Sequence, residues 1–467
     1  MDHITTLPIS KFINSKFREY SLYVIQSRGI PNFYDALTPV QRYILMNAPT
    51  SFQKTLSLVG NCISGGYHHS NSSLEGAIAK LTRPFGAALQ ILDGYGFFGS
   101  EVCPEPAAAR YTSIKISSKT NEILKKYNYL TTKDEDGAFH PFWMDVPLGL
   151  TTPIIGIAVG YKSVILARKL EDIEKYFNGT IKSVKPYFMN FNGSIQKYKG
   201  LKNAWLVSSK ITIDGNRIQI REIPPILKYT SALKRLDWLF NKFEGNIRIL
   251  NNSNTKVNVD IIYTGKKHDD WVEIQNFCNK VFSIIVNENI VFVKDNQVIV
   301  YDSIEQYLDD YKWQLKRLAY NKSLKEKNFI QDDLEFNKAK YDFINFMLLK
   351  KRSILEIDEY CKSYVIELKE KLERLTSKKF TKDELISTEK KIKQLTIDLK
   401  EKEKELKYNK SEFNKLIDPT IKRGITSKQV TADLFSMDDI KEVDGIYIWN
   451  GEDNEIQKDE IEEDIDE

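Results

Sequence analysis

The spacing of apolar residues changes twice along this 467-residue chain, and each change marks an expected boundary. From Lys11 to Ile25 the positions Phe12, Ile13, Phe17, Tyr20, Tyr23 and Val24 follow a helical period. Pro31 breaks that run, and Pro39-Val-Gln-Arg-Tyr-Ile-Leu-Met46 predicts a second helix with proline in its first turn. Gly60 to His69 reads as a loop-bearing stretch and Leu74 to Leu92 as helical segments. Gly94, Gly96 and Gly99 then mark a turn-rich connection. Short helices followed by a turn-rich, partly extended stretch predict a winged-helix organisation for residues 1–146.

Between residues 147 and 303 the period shortens toward two. Strands are expected at Ile154-Ile-Gly-Ile-Ala-Val159, Trp205-Leu-Val-Ser, Lys210-Ile-Thr-Ile, Arg217-Ile-Gln-Ile, Val257-Asn-Val-Asp-Ile-Ile and Val291-Phe-Val-Lys, with Asp214-Gly215-Asn216 as a hairpin turn. Residues 304–437 return to a helical texture, rich in Lys and Glu and free of proline until Pro419. Leu385, Ile392, Leu399, Leu406 and Phe413 recur every seven residues, with Leu395 and Leu416 at +3 positions. Thr388, Lys402 and Asn409 fill the other +3 positions, so the seam is imperfect. Two long antiparallel helices separated by a helical knob near 351–384 is the expected arrangement, with an ordinary amphipathic helix pair as the alternative. The expected fold is α+β and multidomain: a winged-helix region at 1–146, an α/β middle domain at 147–303, a long coiled coil with a knob at 304–437 and an acidic tail at 438–467.

Charge sharpens this picture. The net charge of +4 hides an asymmetry: from Asp438 onward there are fourteen acidic and two basic residues, leaving 66 Lys/Arg against 50 Asp/Glu before it. A basic body fits a polyanion partner, and the tail is either a solvated end or a surface for basic partners. No apolar run approaches the ~18 residues needed to span a bilayer. The N-terminus lacks the basic-then-apolar pattern of a secretory signal, so a cytoplasmic location is expected. Cys62, Cys103, Cys278 and Cys361 form no CxxC-type pair, and buried or half-buried free thiols are expected.

The segment that carries chemistry is Pro106-Ala-Ala-Ala-Arg110-Tyr111-Thr112. An Arg-Tyr pair alone has no meaning. Here Gly94-Tyr-Gly-Phe-Phe-Gly-Ser100 precedes it, with Tyr67-His-His-Ser-Asn-Ser-Ser73, Asp35-Ala-Leu-Thr-Pro-Val-Gln-Arg42 and Arg28-Gly-Ile-Pro31 upstream. Downstream lie Gly156-Ile-Ala-Val-Gly160, Pro186-Tyr-Phe-Met-Asn-Phe-Asn-Gly193-Ser-Ile195 and Glu222-Ile-Pro-Pro225. In order and spacing this set resembles the breakage–reunion region of type IIA DNA topoisomerases, the gyrase A, topoisomerase IV and eukaryotic topoisomerase II family. In economy the chain resembles the separately encoded medium subunits found in T-even-type bacteriophages, which would place it in the host bacterial cytoplasm.

The resemblance implies a role for each matching residue. Tyr111 would be the nucleophile that forms a 5′-phosphotyrosyl link, an ester that keeps the phosphodiester energy for religation. Arg110 would hold the phosphate and offset charge developing on its oxygens. His69 would hydrogen-bond the scissile phosphate or relay the tyrosine proton, and Arg28 would lie near that phosphate within the dimer's cleavage sites. Arg42, Lys80, His68 and Ser72 match the DNA-facing set, where basic side chains fix register on phosphates. Metal ligation is the alternative for His68 and His69, but adjacent side chains point apart on most backbones. Ile157 matches an intercalating wedge; without the resemblance it would be a buried strand residue.

Departures from the family pattern are specific. Thr38 and Tyr43 replace basic residues, which predicts weaker phosphate contact on the DNA face. Tyr95 and Phe97 replace the Gln and Asn of Gly-Gln-Gly-Asn-Phe-Gly-Ser, and Ser70-Asn71 replaces Gly-Asp. Asp134-Glu135-Asp136 is a linear acidic triplet without the spacing to cage a metal, and no metal site is expected in this chain. Mg²⁺ and ATP would be bound by ATPase/Toprim partner subunits. The other expected partners are double-stranded DNA and a second copy of this chain, because cutting two strands needs two tyrosines. The expected function is transient double-strand cleavage for duplex passage; the alternative is a non-catalytic DNA-binding scaffold of the same fold.

Overall fold

In the computed structural model, which describes residues 9–125, 140, 141, 143–295, 297–350, 372, 381–416, 442, 443 and 446–449, the chain starts as one long helix. Its α-turns, α1 (Ile9–Phe12) and α2 (Arg18–Val24), alternate with π-turns at Ile13–Phe17 and Ile25–Gly29. Helical structure therefore continues four residues beyond the expected Ile25, up to the last residues before Pro31.

A small helix–sheet unit follows. It comprises α3 (Pro39–Asn47), β1 (Gln53–Lys54), α4 (Thr55–Ser64), α5 (Asn71–Thr82), β2 (Leu92–Tyr95), β3 (Ser113–Ile116) and α6 (Ser118–Lys125). Thr38 stands at the N-cap of α3, and its backbone N–H donates to Gln41 Oε1 at 2.9 Å. The strands form an antiparallel sheet in the order β1-β3-β2. Ile44, Leu58, Leu74, Ile78, Leu92 and Ile114 join helices and sheet in one core. The expected loop at Gly60–His69 is half helix. Leu58, Val59 and Cys62 are buried at helical spacing, and this carries α4 through Gly60, whose surface face is open. Cys62 and Cys278 are buried, which pushes both thiols up to about 12, whereas Cys103 is exposed, against expectation.

Next come a 3-10 turn (Leu148–Thr151), the hairpin β4 (Ile154–Ala158) and β5 (Tyr161–Ile165), and α7 (Leu170–Phe177). Then follow β6 (Ser194–Lys197), β7 (Ala204–Ser208), β8 (Ile211–Asp214), β9 (Arg217–Ile220), α8 (Tyr229–Lys242), β10 (Ile247–Asn251), β11 (Val259–Tyr263), α9 (His268–Val281), β12 (Ser283–Asn287), β13 (Ile290–Lys294) and β14 (Gln297–Tyr301). Strands β10-β11-β9-β8 make an antiparallel sheet on which α8 and α9 pack, with Ile218, Ile261, Leu236 and Ile274 at its centre. The expected turn closes β8 and β9, with Gly215 at φ +59°. Beside strands β7 and β12, Arg168, fully buried, donates to Glu288 at 2.7 Å, and Trp205 Nε1 donates to the same carboxylate at 2.8 Å.

Contacts within the chain fall into two compact units, residues 1–308 with 428–467, and residues 309–427. Helix α10 (Ile304–Lys350) has 47 residues and α11 (Lys382–Asn414) has 33, lengths of roughly 70 and 50 Å at the helical rise. Within the second unit the two run antiparallel, since Lys316 meets Glu412 at 3.7 Å and Lys402 meets Glu326 at 2.7 Å. The heptad positions Leu385, Ile392, Leu399, Leu406 and Phe413 are all half-buried. The polar +3 positions are satisfied. Thr388 is buried with its hydroxyl on the Glu384 carbonyl, Lys402 is paired as above, and Asn409 Nδ2 donates to Ser323 Oγ at 2.7 Å. The expected knob at 351–384 lies outside the described residues apart from Leu372 and the start of α11, as does the triplet Asp134-Glu135-Asp136. Part of the expected acidic tail is strand: β15 (Glu442–Val443) pairs with β16 (Ile446–Trp449), and β16 runs parallel to β12. The β-rich Ile446-Tyr-Ile-Trp449, set among the acidic residues, supplies that pairing.

Candidate functional site

Tyr111 sits on a tight turn, its N–H bonded to the Ala108 carbonyl at 2.9 Å. This turn meets the start of α4. The Thr55 and Leu56 N–H groups, among the four that a helix N-terminus leaves without internal acceptors, donate to the carbonyls of Thr112 (3.0 Å) and Ala109 (3.3 Å). Thr112 Oγ1 donates to Thr55 Oγ1 at 2.8 Å, and Ala107 N–H donates to the Phe97 carbonyl at 2.9 Å. Ala109 is buried, which explains a small residue there. With its backbone so held, Tyr111 leaves 66% of its surface exposed. The Arg110 guanidinium lies over the Tyr111 ring, 4.9 Å from its centroid.

Arg83, which the sequence did not single out, closes the loop leading to this turn. It follows α5, and its guanidinium donates to the Phe98 carbonyl at 3.1 Å and to the Pro104 carbonyl. Burial holds its pKa below the usual guanidinium value. Its only sequence signal is a basic residue directly before a helix-ending proline, too common to stand out.

A second cluster gathers Arg28, Tyr67, His68 and His69. Ser70 caps α5, accepting from Ser73 N–H at 3.3 Å, with Ser72 Oγ 3.4 Å from Ser70 Oγ. His69 precedes this cap and packs edge-on against buried Tyr67, centroids 5.3 Å apart. Burial, followed by the positive field of Arg28 and then of His68, holds the His69 pKa below its ordinary value. Burial likewise raises the Tyr67 phenol. His68, Ser72 and Lys80 are exposed.

Arg28 and Ile157 are neighbours through glycine. A Cβ on Gly156 would stand 1.9 Å from the Gly29 carbonyl oxygen, and one on Gly29 would stand 2.3 Å from the Ile157 carbonyl oxygen. Two glycines therefore let the helix end carrying Arg28 press directly on β4. Strand β4 alternates buried and exposed positions, and Ile157 is on the outer side at 50% exposure, not buried as its composition alone implies. Among the described residues no hydrogen bond or ion pair joins Tyr111 and Arg110 to Arg28 and His69; one chain holds two half-sets of the expected residues.

Arg42 overturns an expectation. It is buried, and its Nε and Nη2 donate to Asp35 Oδ2 and Oδ1 at 2.7 and 2.8 Å, with a further bond from Nη2 to the Leu37 carbonyl. It is an internal brace, its guanidinium turned onto the Asp35 carboxylate. The substituted basic positions also turn inward: Thr38 is buried at its cap, and Tyr43 packs edge-on against Tyr67 at 5.9 Å while donating to the Gly66 carbonyl. Their loss of charge therefore supports the scaffold of the site and says little about an outer DNA face. Among the described residues no three His, Cys, Asp or Glu side chains converge so as to hold a metal ion. No described helix is long and apolar enough to cross a membrane.

Fold and site together define a class: an α+β chain that presents an Arg–Tyr pair on a turn of a small helix–sheet unit and carries a pair of long antiparallel helices. The structure resembles the DNA-binding, cleavage and re-ligation domain of topoisomerase II from Plasmodium falciparum, with a TM-score of 0.58 over 91% of this chain and 67% of that one at 20% identity. The model of the family formed by the A subunits of DNA gyrase and topoisomerase IV matches residues 28–422, and the chain belongs to that family. It is 28% identical over 254 residues to the DNA topoisomerase medium subunit of Enterobacteria phage T4, covering 50% of this chain and 56% of that one. To the A subunit of DNA topoisomerase 4 it is 29% identical over 349 residues in Staphylococcus aureus NCTC 8325 (66% and 43%) and 27% over 365 residues in Bacillus subtilis 168 (68% and 44%). The chain spans about half the length of these curated relatives.

Proposed function

We propose that this chain is the DNA-cleaving and religating subunit of an ATP-dependent type II DNA topoisomerase, working in relaxation and decatenation. The observation that carries the reading is the exposed Tyr111 ring, fixed by its turn on α4 and covered on one side by the Arg110 guanidinium. Tyr111 Oη attacks a backbone phosphorus, the 3′-oxygen leaves and takes up a proton, and a 5′-phosphotyrosyl ester forms. The 3′-hydroxyl reverses the step, so no bond energy is lost. Arg110 binds the phosphoryl oxygens as negative charge builds on them. Neutral His69 accepts a hydrogen bond or proton near the scissile phosphate, with Arg28 beside it.

Cutting two strands needs two tyrosines, so a homodimer bound across double-stranded DNA is the working form in this reading. Ser72 and Lys80 on α5, with His68 just before it, line that face, and Ile157 is the apolar wedge that opens a base step. In this reading the helix–sheet unit is a winged helix, residues 147–303 are the tower, and α10 and α11 form the coiled coil that leads to an exit gate. ATPase/Toprim partner subunits bind ATP and Mg²⁺, and the complex works in the cytoplasm, that of a bacterial host if a phage encodes it.

The test mixes the chain with its ATPase/metal partner, Mg²⁺ and supercoiled plasmid, and stops the reaction with detergent. Linear DNA carrying covalent protein is expected, and Tyr111→Phe should bind DNA without leaving an adduct. An adduct with the Phe variant would show that the nucleophile lies elsewhere. A wild-type protein that binds DNA and never forms one would be the scaffold.

A further inference from the structure

The outer face of the β1-β3-β2 sheet is unusual beside a phosphate-directed site, and it rests on strand alternation. In β2, Leu92 is buried and a Cβ on Gly94 would strike Thr82 and Phe98, so Asp93 and Tyr95 point outward. In β3, Ile114 and Ile116 are buried, which sends Ser113 and Lys115 to the same outer side. The register then builds two cross-strand rows on this face: Tyr95–Ser113–Lys54 and Asp93–Lys115, the second ending at Phe52, over whose ring Lys115 Nζ lies at 5.0 Å. Tyr95 is 75% exposed, higher than Tyr111 itself.

This face abuts the nucleophile. Ser113 is two residues from Tyr111. Gly96 turns back at φ +111° with its Cβ position 3.1 Å from Thr112 Cγ2, and Phe97, 39% exposed, holds Ala107 through its carbonyl. Tyr95 and Phe97 thus flank the turn that carries Tyr111. Exposed aromatic rings interleaved with Lys54, Lys115 and Arg110 are the composition of a base-stacking platform with a phosphate-binding border. These two positions carry Gln and Asn in the family pattern, which bond edges and offer no π-face.

We propose that Tyr95 and Phe97 form an aromatic platform that takes the nucleobase next to the scissile phosphate and gives the enzyme a base preference at its cut site. The inference rests on the proposed cleavage function. Cutting the strand frees the flanking base from one stacking neighbour, and a fixed aromatic ring replaces it. Purines, with the larger π-face, are held better than pyrimidines. Lys54 and Lys115 hold the neighbouring phosphates.

The test maps cleavage sites on plasmid DNA for the assembled wild-type enzyme and for assemblies with Tyr95→Gln and Phe97→Asn. Base–aromatic stacking is worth about 1–3 kcal/mol per base, and a purine–pyrimidine difference of about 1 kcal/mol within it corresponds to a preference of about fivefold at one flanking position. Both variants should keep total adduct within about threefold while that preference falls to about twofold or less. In parallel, 2-aminopurine placed at that position in a duplex nicked at the cut site should be quenched by wild type and markedly less by Tyr95→Gln. Adduct with an unchanged site distribution and unchanged quenching in both variants would overturn the platform and leave the cleavage function standing. Loss of partner-subunit binding with the site distribution intact would make this face a protein interface and overturn it also. If wild type forms no adduct, the cleavage function itself has failed, and quenching of the uncut, nicked probe then shows whether the aromatic face still binds a base.

Discussion

Replacing Arg42 with alanine distinguishes an internal brace from a DNA contact. In the structure Asp35 is fully buried and Arg42 is 7% exposed at its side chain, with bidentate bonds of 2.7 and 2.8 Å between them. Truncation leaves the Asp35 carboxylate with the Leu37 N–H at 2.9 Å as its remaining hydrogen bond. Removing one partner of a buried pair costs about 3–5 kcal/mol, because the other charge stays desolvated. A slope of about 1–3 kcal/mol per molar urea turns that loss into a midpoint lower by about 1–5 M for the unit containing α3. Urea unfolding followed by circular dichroism reads the midpoint. DNA binding by the folded protein across a salt series reads the second quantity, the slope of log affinity against log salt, which should stay at its wild-type value. A phosphate contact would behave the other way, with stability within about 0.5 kcal/mol and the salt slope reduced by about 1. That pair of results would refute the internal assignment.

Removing Arg28 should move a pH profile. Burial comes first among the causes that depress His69, and the Arg28 field second, so the neutral imidazole persists below the ordinary value of 6.5. Stability from this depressed group is present above 6.5 and is lost as pH falls through the folded value. In Arg28→Ala the acid limb of cleavage should shift upward toward 6.5; an unmoved or downward limb in the residual activity contradicts the coupling. Gly156→Ala places a methyl group 1.9 Å from the backbone oxygen of Gly29, an atom that cannot rotate away. A loss at or above the top of the usual overpacking range of about 1–3 kcal/mol is expected, with weaker cleavage as Ile157 and Arg28 separate. An unchanged melting temperature would show that the helix and β4 are not in contact there.

What the sequence determined by itself was periodicity and order. The two long helices, the α3 helix and the six strands expected within residues 147–303 lie where apolar spacing places them, because burial of one face is set locally by residue type; β5, β6, β10, β12 and β14 had no such signal. Heptad spacing even located the polar seam positions Thr388, Lys402 and Asn409, though not the α10 partners Glu326 and Ser323 of the last two. The motif order also named Tyr111, Arg110, His69 and Arg28 as a set before their positions were known. Tertiary structure decided which side of the surface each charge lies on. Arg42 reads as a basic residue on a DNA helix, yet the fold encloses it with Asp35, seven residues earlier and on a different element. Arg83 reads as nothing until its loop folds back over it, and Ile157 reads as core until β4 alternates it outward. Partner choice across sequence distance depends on packing, and a string of residues does not record it. The same physics groups the expected residues: Arg110 lies over the Tyr111 ring, and His69 feels the field of Arg28, contacts that only the folded chain reveals.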